Sequence, residues 1–287
     1  MQTPKHVVLA TDLTLAADPC VTVSARFAKA LYADISLFHV FQYVPEHRYR
    51  VPVNWMIHEL RQKAELRLDL VRQRLADLEV AAHVSVVEGY DPCRQILSFL
   101  SGIDSPLAVM GTHASAGIER FILGSTAEAV LRQARCPVVT MGPFAETSEL
   151  DQFRRILIAS HRPEDLDGLV SNALPLLHPI CGVLEILHVI SSPDEPMPFE
   201  DRESLVATLE QKGIGRKRIK FQKLHGKSVA QAVVNEAERD STELIVLGAR
   251  GSSEAATHKA PGIAIQIVAA APCPVLTLRR SSRSEAP

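Results

Sequence analysis

What this sequence does not contain closes several classes of function. Its formal net charge is only -2 over 287 residues, so no polyelectrolyte bias draws the chain as a whole to nucleic acid or to an anionic membrane. Neither is expected as a main partner. No apolar run approaches the roughly 20 residues that a membrane-spanning helix needs. Met1 to Lys5 leads into a strand-like segment rather than the apolar stretch of a secretory leader. A cytoplasmic location is therefore the expectation. The cysteines Cys20, Cys93, Cys136, Cys181 and Cys273 are odd in number, form no CxxC pair and join no histidine cluster at metal-ligand spacing. Buried reduced thiols are expected in place of a disulfide framework or a zinc centre.

What the sequence does contain is itself, twice. Val7-Val8-Leu9-Ala10-Thr11-Asp12 recurs as Ile156-Leu157-Ile158-Ala159-Ser160-His161, and Phe38-His39-Val40 recurs as Leu187-His188-Val189, both at a shift of 149 residues. Later, Val109-Met110-Gly111-Thr112-His113 matches Val246-Leu247-Gly248-Ala249-Arg250, and Cys136-Pro137-Val138 matches Cys273-Pro274-Val275, at a shift of 137. A repeat of this kind fixes the architecture before any motif is read. The drop of 12 between the shifts means that the second copy has lost about three helical turns, or their equivalent in loop, between its second and third strands. Domains over 1–142 and 153–280 are expected, joined by the polar segment Gly142 to Gln152, with a frayed tail after Arg279.

Within the first copy, apolar β-rich runs at 7–12, 35–41, 82–87, 106–111 and 137–141 alternate with helical stretches. Uninterrupted runs such as Val7-Val8-Leu9-Ala10 suit parallel strands covered on both faces. Over 54–78, Ile57, Leu60, Ala64, Leu68, Val71, Leu75 and Leu78 recur at spacings of three and four, the pattern of a surface helix packed on a sheet. Strand and helix alternating five times predict an α/β fold: two tandem, doubly wound, five-stranded parallel sheets of Rossmann-like type. Such sheets bind ligands beyond the carboxyl ends of their strands. Asp12, Val40 and Gly111 collect there in the first copy. From Gly111 a glycine-containing loop runs to Gly124-Ser125 at the start of another helix. Glycine lets backbone approach a phosphate, a helix start offers unpaired N–H groups, and Ser125 can cap the helix while touching a ligand. Taken alone, an ordinary turn and cap explains Gly124-Ser125 equally well.

The loop resembles that of the universal stress protein family, G-x2-G-x9-G-S/T, which residues 111–125 match except for Ala114 at the second glycine. Ala127-Glu128-Ala129-Val130-Leu131 and Cys136-Pro137-Val138 are also similar to that family, and the likeness returns in the second half. It implies a fold of the adenine nucleotide alpha hydrolase type, its two domains packed as a pseudo-dimer through their last strands. It implies ATP, AMP or ADP as ligand, with or without Mg. Residues matching Asp12 and Val40 would hold the adenosine end, and those matching Met110 and Gly111 would flank the ribose. His113, Ala114, Gly124, Ser125 and Thr126 would meet the phosphates. A Cβ forced onto positive-φ backbone at Ala114 would cost about 1 kcal/mol, weakening binding and favouring shorter phosphate chains.

The second copy departs further. His161 stands in place of Asp12 and Pro261-Gly262 in place of Gly124-Ser125, although Gly248 and Gly251 remain. Proline brings no N–H and imidazole replaces a carboxylate acceptor, so this half is expected to hold no nucleotide. Alternatively, His161, Arg250, His258 and Lys259 make a different anion site. Catalysis is not expected, because phosphoryl transfer needs a base, a metal-binding carboxylate and a cation. The sequence has no Gly-x4-Gly-Lys-Ser/Thr loop, no lysine between Gly111 and Ser125, no Ser-Gly-Gly or His-x-Gly-His motif and no nucleophile elbow. His39 and His188 read as packed or loop-bonded histidines. The resemblance thus points to a stress-response regulatory module that binds adenine nucleotide and acts through an unidentified protein partner, with homodimerisation open. A ligand-free scaffold and a very slow ATPase are the alternatives.

Overall fold

The computed structural model describes residues 3–13, 18–42, 53–112, 123–148, 151–190, 202–249 and 262–279. The first half runs β1 (His6–Ala10), α1 (Asp18–Leu31), β2 (Asp34–Phe41), α2 (Val53–Asp77), β3 (Ala82–Glu88), α3 (Pro92–Ser101), β4 (Pro106–Gly111), α4 (Ser125–Gln133) and β5 (Val138–Met141). The second half repeats this plan as β6 (Phe153–Ser160), α5 (Pro163–Leu177), β7 (Cys181–Ile190), α6 (Arg202–Gln211), β8 (Ile219–His225), α7 (Val229–Arg239), β9 (Leu244–Ala249), α8 (Ile263–Ala270) and β10 (Val275–Arg279). The lost residues fall where the two shifts locate them, since α2 has 25 residues and its counterpart α6 has 10. Even the caps keep the repeat. Asp91 accepts the Arg94 N–H at 3.0 Å before α3, and Ser228, 137 positions on, accepts the Gln231 N–H at 3.3 Å before α7.

The strands form one ten-stranded sheet in the order β3-β2-β1-β4-β5-β10-β9-β6-β7-β8. Pairing is parallel within each half and antiparallel where β5 meets β10, with Thr140 opposite Val275 and Val138 opposite Thr277. The expected contact through the Cys-Pro-Val strands is therefore a merging of two sheets into one. Because the halves run in opposite directions, the carboxyl ends of the parallel strands in the two halves face opposite ends of the molecule. Side chains alternate between two apolar layers: Val7 and Leu9 join α1, α2 and α5 on one face, whereas Val8 and Ala10 join α3, α4, α7 and α8 on the other. Both layers run across the junction.

The junction is fixed by polar contacts as well. Arg26, buried in α1, lies with its guanidinium 4.1 Å from the centre of the Phe153 ring and donates to Ser148 Oγ at 3.2 Å. Glu146 donates its N–H to the Pro272 carbonyl at 3.0 Å, so the connection is held against the second half at this point. Gly142 passes so close to α8 that a Cβ there would stand 2.1 Å from the Val268 carbonyl oxygen. Its counterpart by the repeat, Arg279, instead donates to the Gln133 and Ala134 carbonyls at 3.0 and 2.8 Å, closing the C-terminal end of α4.

Candidate functional site

The turn after β1 is built by one hydroxyl. Strand pairing ends at Ala10, Thr11 adds one more bond from its N–H to the Phe38 carbonyl at 3.0 Å, and Thr11 Oγ1 then accepts the Leu13 N–H at 3.0 Å. Leu13 sits at φ 64°, a left-handed conformation uncommon for a branched apolar residue. The tight turn leaves Asp12 exposed at the strand's carboxyl end. On β4, buried Met110 precedes Gly111, where a Cβ would meet Cys20 Sγ at 3.3 Å. Burial and then the Asp12 charge push the Cys20 thiol up to about 12, so it is a packing group and not a nucleophile.

The opposite wall is the start of α4. Gly124, at φ -55° and ψ 139°, is the cap residue and makes no side-chain capping bond. This corrects the expectation for Ser125: with the glycine already in the cap position, the serine is the first helical residue. The first helical bond runs from the Glu128 N–H to the Gly124 carbonyl at 3.0 Å, so the N–H groups of Ser125, Thr126 and Ala127 have no partner within the helix. They carry the positive end of the helix dipole.

Between these walls lies a cavity of about 470 Å³. Asp12, Val40, Met110, Gly111, Gly124, Ser125 and Thr126 all line it; His113 and Ala114 lie outside the described residues. Sequence reasoning did not single out Gln42, Pro92 or Ile96, which line it too. Gln42 Nε2 donates to the Tyr90 carbonyl at 2.9 Å, tying the end of β2 to the loop before α3. Only the Asp91-Pro92 helix start gave any sign in the sequence that α3 begins at this edge. Among the described lining residues Asp12 is the one carboxylate, and none is lysine or arginine. His39 also lines the cavity, and its Nδ1 donates to the Thr11 carbonyl at 2.8 Å, the loop-bonded role expected of it. Burial, partly offset by that bond and by Asp12, holds its imidazole below the ordinary value, so it is neutral at pH 7 with Nε2 left as an acceptor.

The second half keeps the turn and changes its chemistry. Arg162 donates its N–H to Ser160 Oγ at 3.2 Å, reproducing the Thr11 to Leu13 bond, yet the residue carried between them is His161. By cap geometry Gly262 is the counterpart of Gly124, one residue later than the shift of 137 puts it, and Ile263 stands where the first half has Ser125. The helix start survives without its hydroxyls. Arg250, His258, Lys259 and Pro261 lie outside the described residues.

Compared with known proteins, the chain matches the model of the universal stress protein family twice, over residues 3–141 and 152–279. A universal stress protein of Methanocaldococcus jannaschii is 29% identical over 139 residues, which make up 48% of this chain and 81% of that protein. Among solved structures, one of a universal stress protein from Archaeoglobus fulgidus matches 98% of this chain and 100% of its own, with a TM-score of 0.77 at 21% identity. A functionally unknown protein from Pseudomonas aeruginosa matches over 96% and 93%, with a TM-score of 0.59 at 14% identity. At these identities the two structures speak for the fold alone. No helix among the described residues is long and apolar enough to cross a membrane.

Proposed function

The chain belongs to the universal stress protein family, with the family's domain present twice, and from that premise we propose that it is a regulatory module whose first half, residues 1–142, holds an adenine nucleotide. The supporting observation is convergence. Seven candidate residues from three strand ends and a helix start line one cavity of about 470 Å³, within the range of small-molecule sites. Asp12 and Val40 would hold the adenosine end and Met110 and Gly111 the ribose. The phosphates would lie against Gly124, Ser125 and Thr126, where N–H groups without a partner in the helix and the helix dipole meet negative charge, together with His113 and Ala114. With Asp12 as the one carboxylate among the described lining residues, a magnesium ion would arrive with the phosphates and keep most of its water. The second half, 153–280, serves structure and partner contacts, and the cell compartment we assign is the cytoplasm.

Binding rather than turnover is the role we assign: among the described lining residues none is lysine or arginine, and the neutral His39 is already bonded to Thr11. Mass spectrometry of small molecules released by denaturing the freshly purified chain tests the reading. An adenine nucleotide that is lost in Gly124→Asp is expected; a chain that is empty and also ignores added ATP, ADP and AMP would move the function to a ligand-free scaffold. Ala114→Gly, which restores the family's loop, is expected to raise ATP affinity several-fold, corresponding to about 1 kcal/mol.

A further inference from the structure

The shortened crossover in the second half leaves an edge of the sheet with an unusual charge. From Lys212 to Lys227 the chain carries seven lysines and arginines, together with His225, and no aspartate or glutamate, in a protein whose net charge is -2. The equivalent stretch of the first half, residues 75–90, carries Asp77, Glu79 and Glu88 and no lysine or arginine. The fold therefore does not require these cations. Among the described residues β8 is the last strand of the sheet and pairs with β7 alone, so one side of its backbone has no described strand beside it. At the other end of the sheet the 25-residue α2 packs along β3 and Arg61 donates to the Val86 carbonyl at 3.1 Å. In the second half the shorter, 10-residue α6 covers the face of β8, with the Arg202 guanidinium 4.3 Å from the centre of the Phe221 ring, and leaves the outer edge of the strand to the cations.

Arg216 is engaged by Glu203 at 2.7 Å and Arg218 by the Gly182 carbonyl at 2.6 Å, and the side chains of Lys217, Lys220, Lys223 and Lys227 are solvent-exposed. We propose that the β8 edge is a docking site for an extended acidic protein segment, which adds to the sheet as an eleventh strand. Three observations favour this occupant. The edge offers a ladder of backbone donors and acceptors that a strand satisfies and a phosphodiester chain cannot. Lys220 and Lys223 alternate onto opposite faces of the strand, so an added strand with acidic side chains on both faces would meet each of them as a cross-strand neighbour. Edge lysines also repel apolar strands, which leaves this edge open only to a segment of opposite charge. A flat membrane surface fits poorly, because the ridge is one strand wide and no large exposed apolar side chain lies within 212–227.

The test uses the full chain and a labelled peptide of four Glu-Thr repeats, followed by fluorescence anisotropy, with hydrogen exchange monitored over 219–225. Binding is expected to slow exchange of the β8 amides, and a Lys-Thr peptide is expected not to bind. Lys220→Glu with Lys223→Glu is expected to weaken binding at least roughly tenfold. Both side chains are exposed, so the melting temperature should not move, and Lys217→Gln with Lys227→Gln gives a milder second variant. A 20-nucleotide single-stranded DNA that binds without slowing the β8 amides would overturn the proposal in favour of a phosphate-binding ridge. Failure of the acidic peptide to bind at low salt would overturn it as well. Neither outcome bears on the nucleotide site in the first half.

Discussion

The two halves share a fold and differ in what they place at the ends of their first strands. Thr11 and Ser160 build the same turn, with the hydroxyl accepting an N–H two residues on at 3.0 and 3.2 Å, and Gly111 and Gly248 occupy matching positions behind it. Asp12 has become His161, and the hydroxyls of Ser125 and Thr126 have become Ile263 and Ala264. Backbone geometry has thus outlasted side-chain chemistry. Turn, cap and sheet register serve folding in both copies, whereas a carboxylate and a hydroxylated helix start serve the ligand proposed for the first.

Copying the second half's chemistry into the first is expected to have the largest effect. Asp12→His should weaken adenine nucleotide binding by roughly thirtyfold, about 2 kcal/mol, the worth of a hydrogen bond to a charged group. The converse, His161→Asp, should create no second site, because Ile263 still replaces Ser125. Titration calorimetry of both variants checks the pair, and affinity gained by His161→Asp would break the comparison.

The junction positions come next. Gly142 and Arg279 are counterparts with opposite demands, so Gly142→Ala should destabilise the chain by about 1–3 kcal/mol through overpacking against the Val268 carbonyl. Arg279→Ala removes two bonds to the end of α4 from a partly exposed guanidinium and should cost about 1 kcal/mol. Denaturant unfolding measures both, and a Gly142→Ala chain as stable as the parent would contradict the close approach read from the structure.

The smallest effect distinguishes the halves by pH. In the second half Glu185 lies with Glu236 and Asp240 in a buried acidic group also contacted by Arg155 and Arg239. Burial, then the Asp240 and Glu236 charges, hold Glu185 above the ordinary carboxylate value. A raised folded value means that its contribution is complete below the unfolded value and is lost as pH rises through the folded one. At the equivalent place in the first half, His6 Nε2 meets Ser36 Oγ at 2.7 Å, and burial holds the imidazole below its ordinary value despite the Asp34 charge. That contribution is complete above the unfolded histidine value and is lost as pH falls through the depressed one. Glu185→Gln should therefore gain on the parent chain as pH rises and His6→Gln should gain as pH falls, both read from unfolding midpoints between pH 4 and 8. Parallel slopes for the two variants would refute the assignment.

Much of this was legible in the sequence because the repeat acts as an internal alignment. Two shifts located the shortened crossover, the helix expected over 54–78 spans Val53–Asp77, and Cys-Pro-Val marked the strands that join the halves. Asp12, Val40, Gly111 and Gly124 were nominated by strand ends and by the loop that resembles the family's. The wall contributed by Pro92 and Ile96, the tie from Gln42 to Tyr90 and the Glu185 group were not visible. Each joins residues far apart in the chain through packing, which leaves no local periodicity or spacing to read. The cap exchange from Ser125 to Gly124 was missed for the opposite reason, since it turns on a one-residue choice of where a helix starts.

The central claim is that one half holds nucleotide and the other does not. Equilibrium dialysis of the full chain against labelled ATP and ADP measures it directly. One nucleotide per chain, lost in Asp12→His and unchanged in His161→Ala, is the predicted result; two per chain, or binding that survives Asp12→His and disappears in His161→Ala, would contradict it.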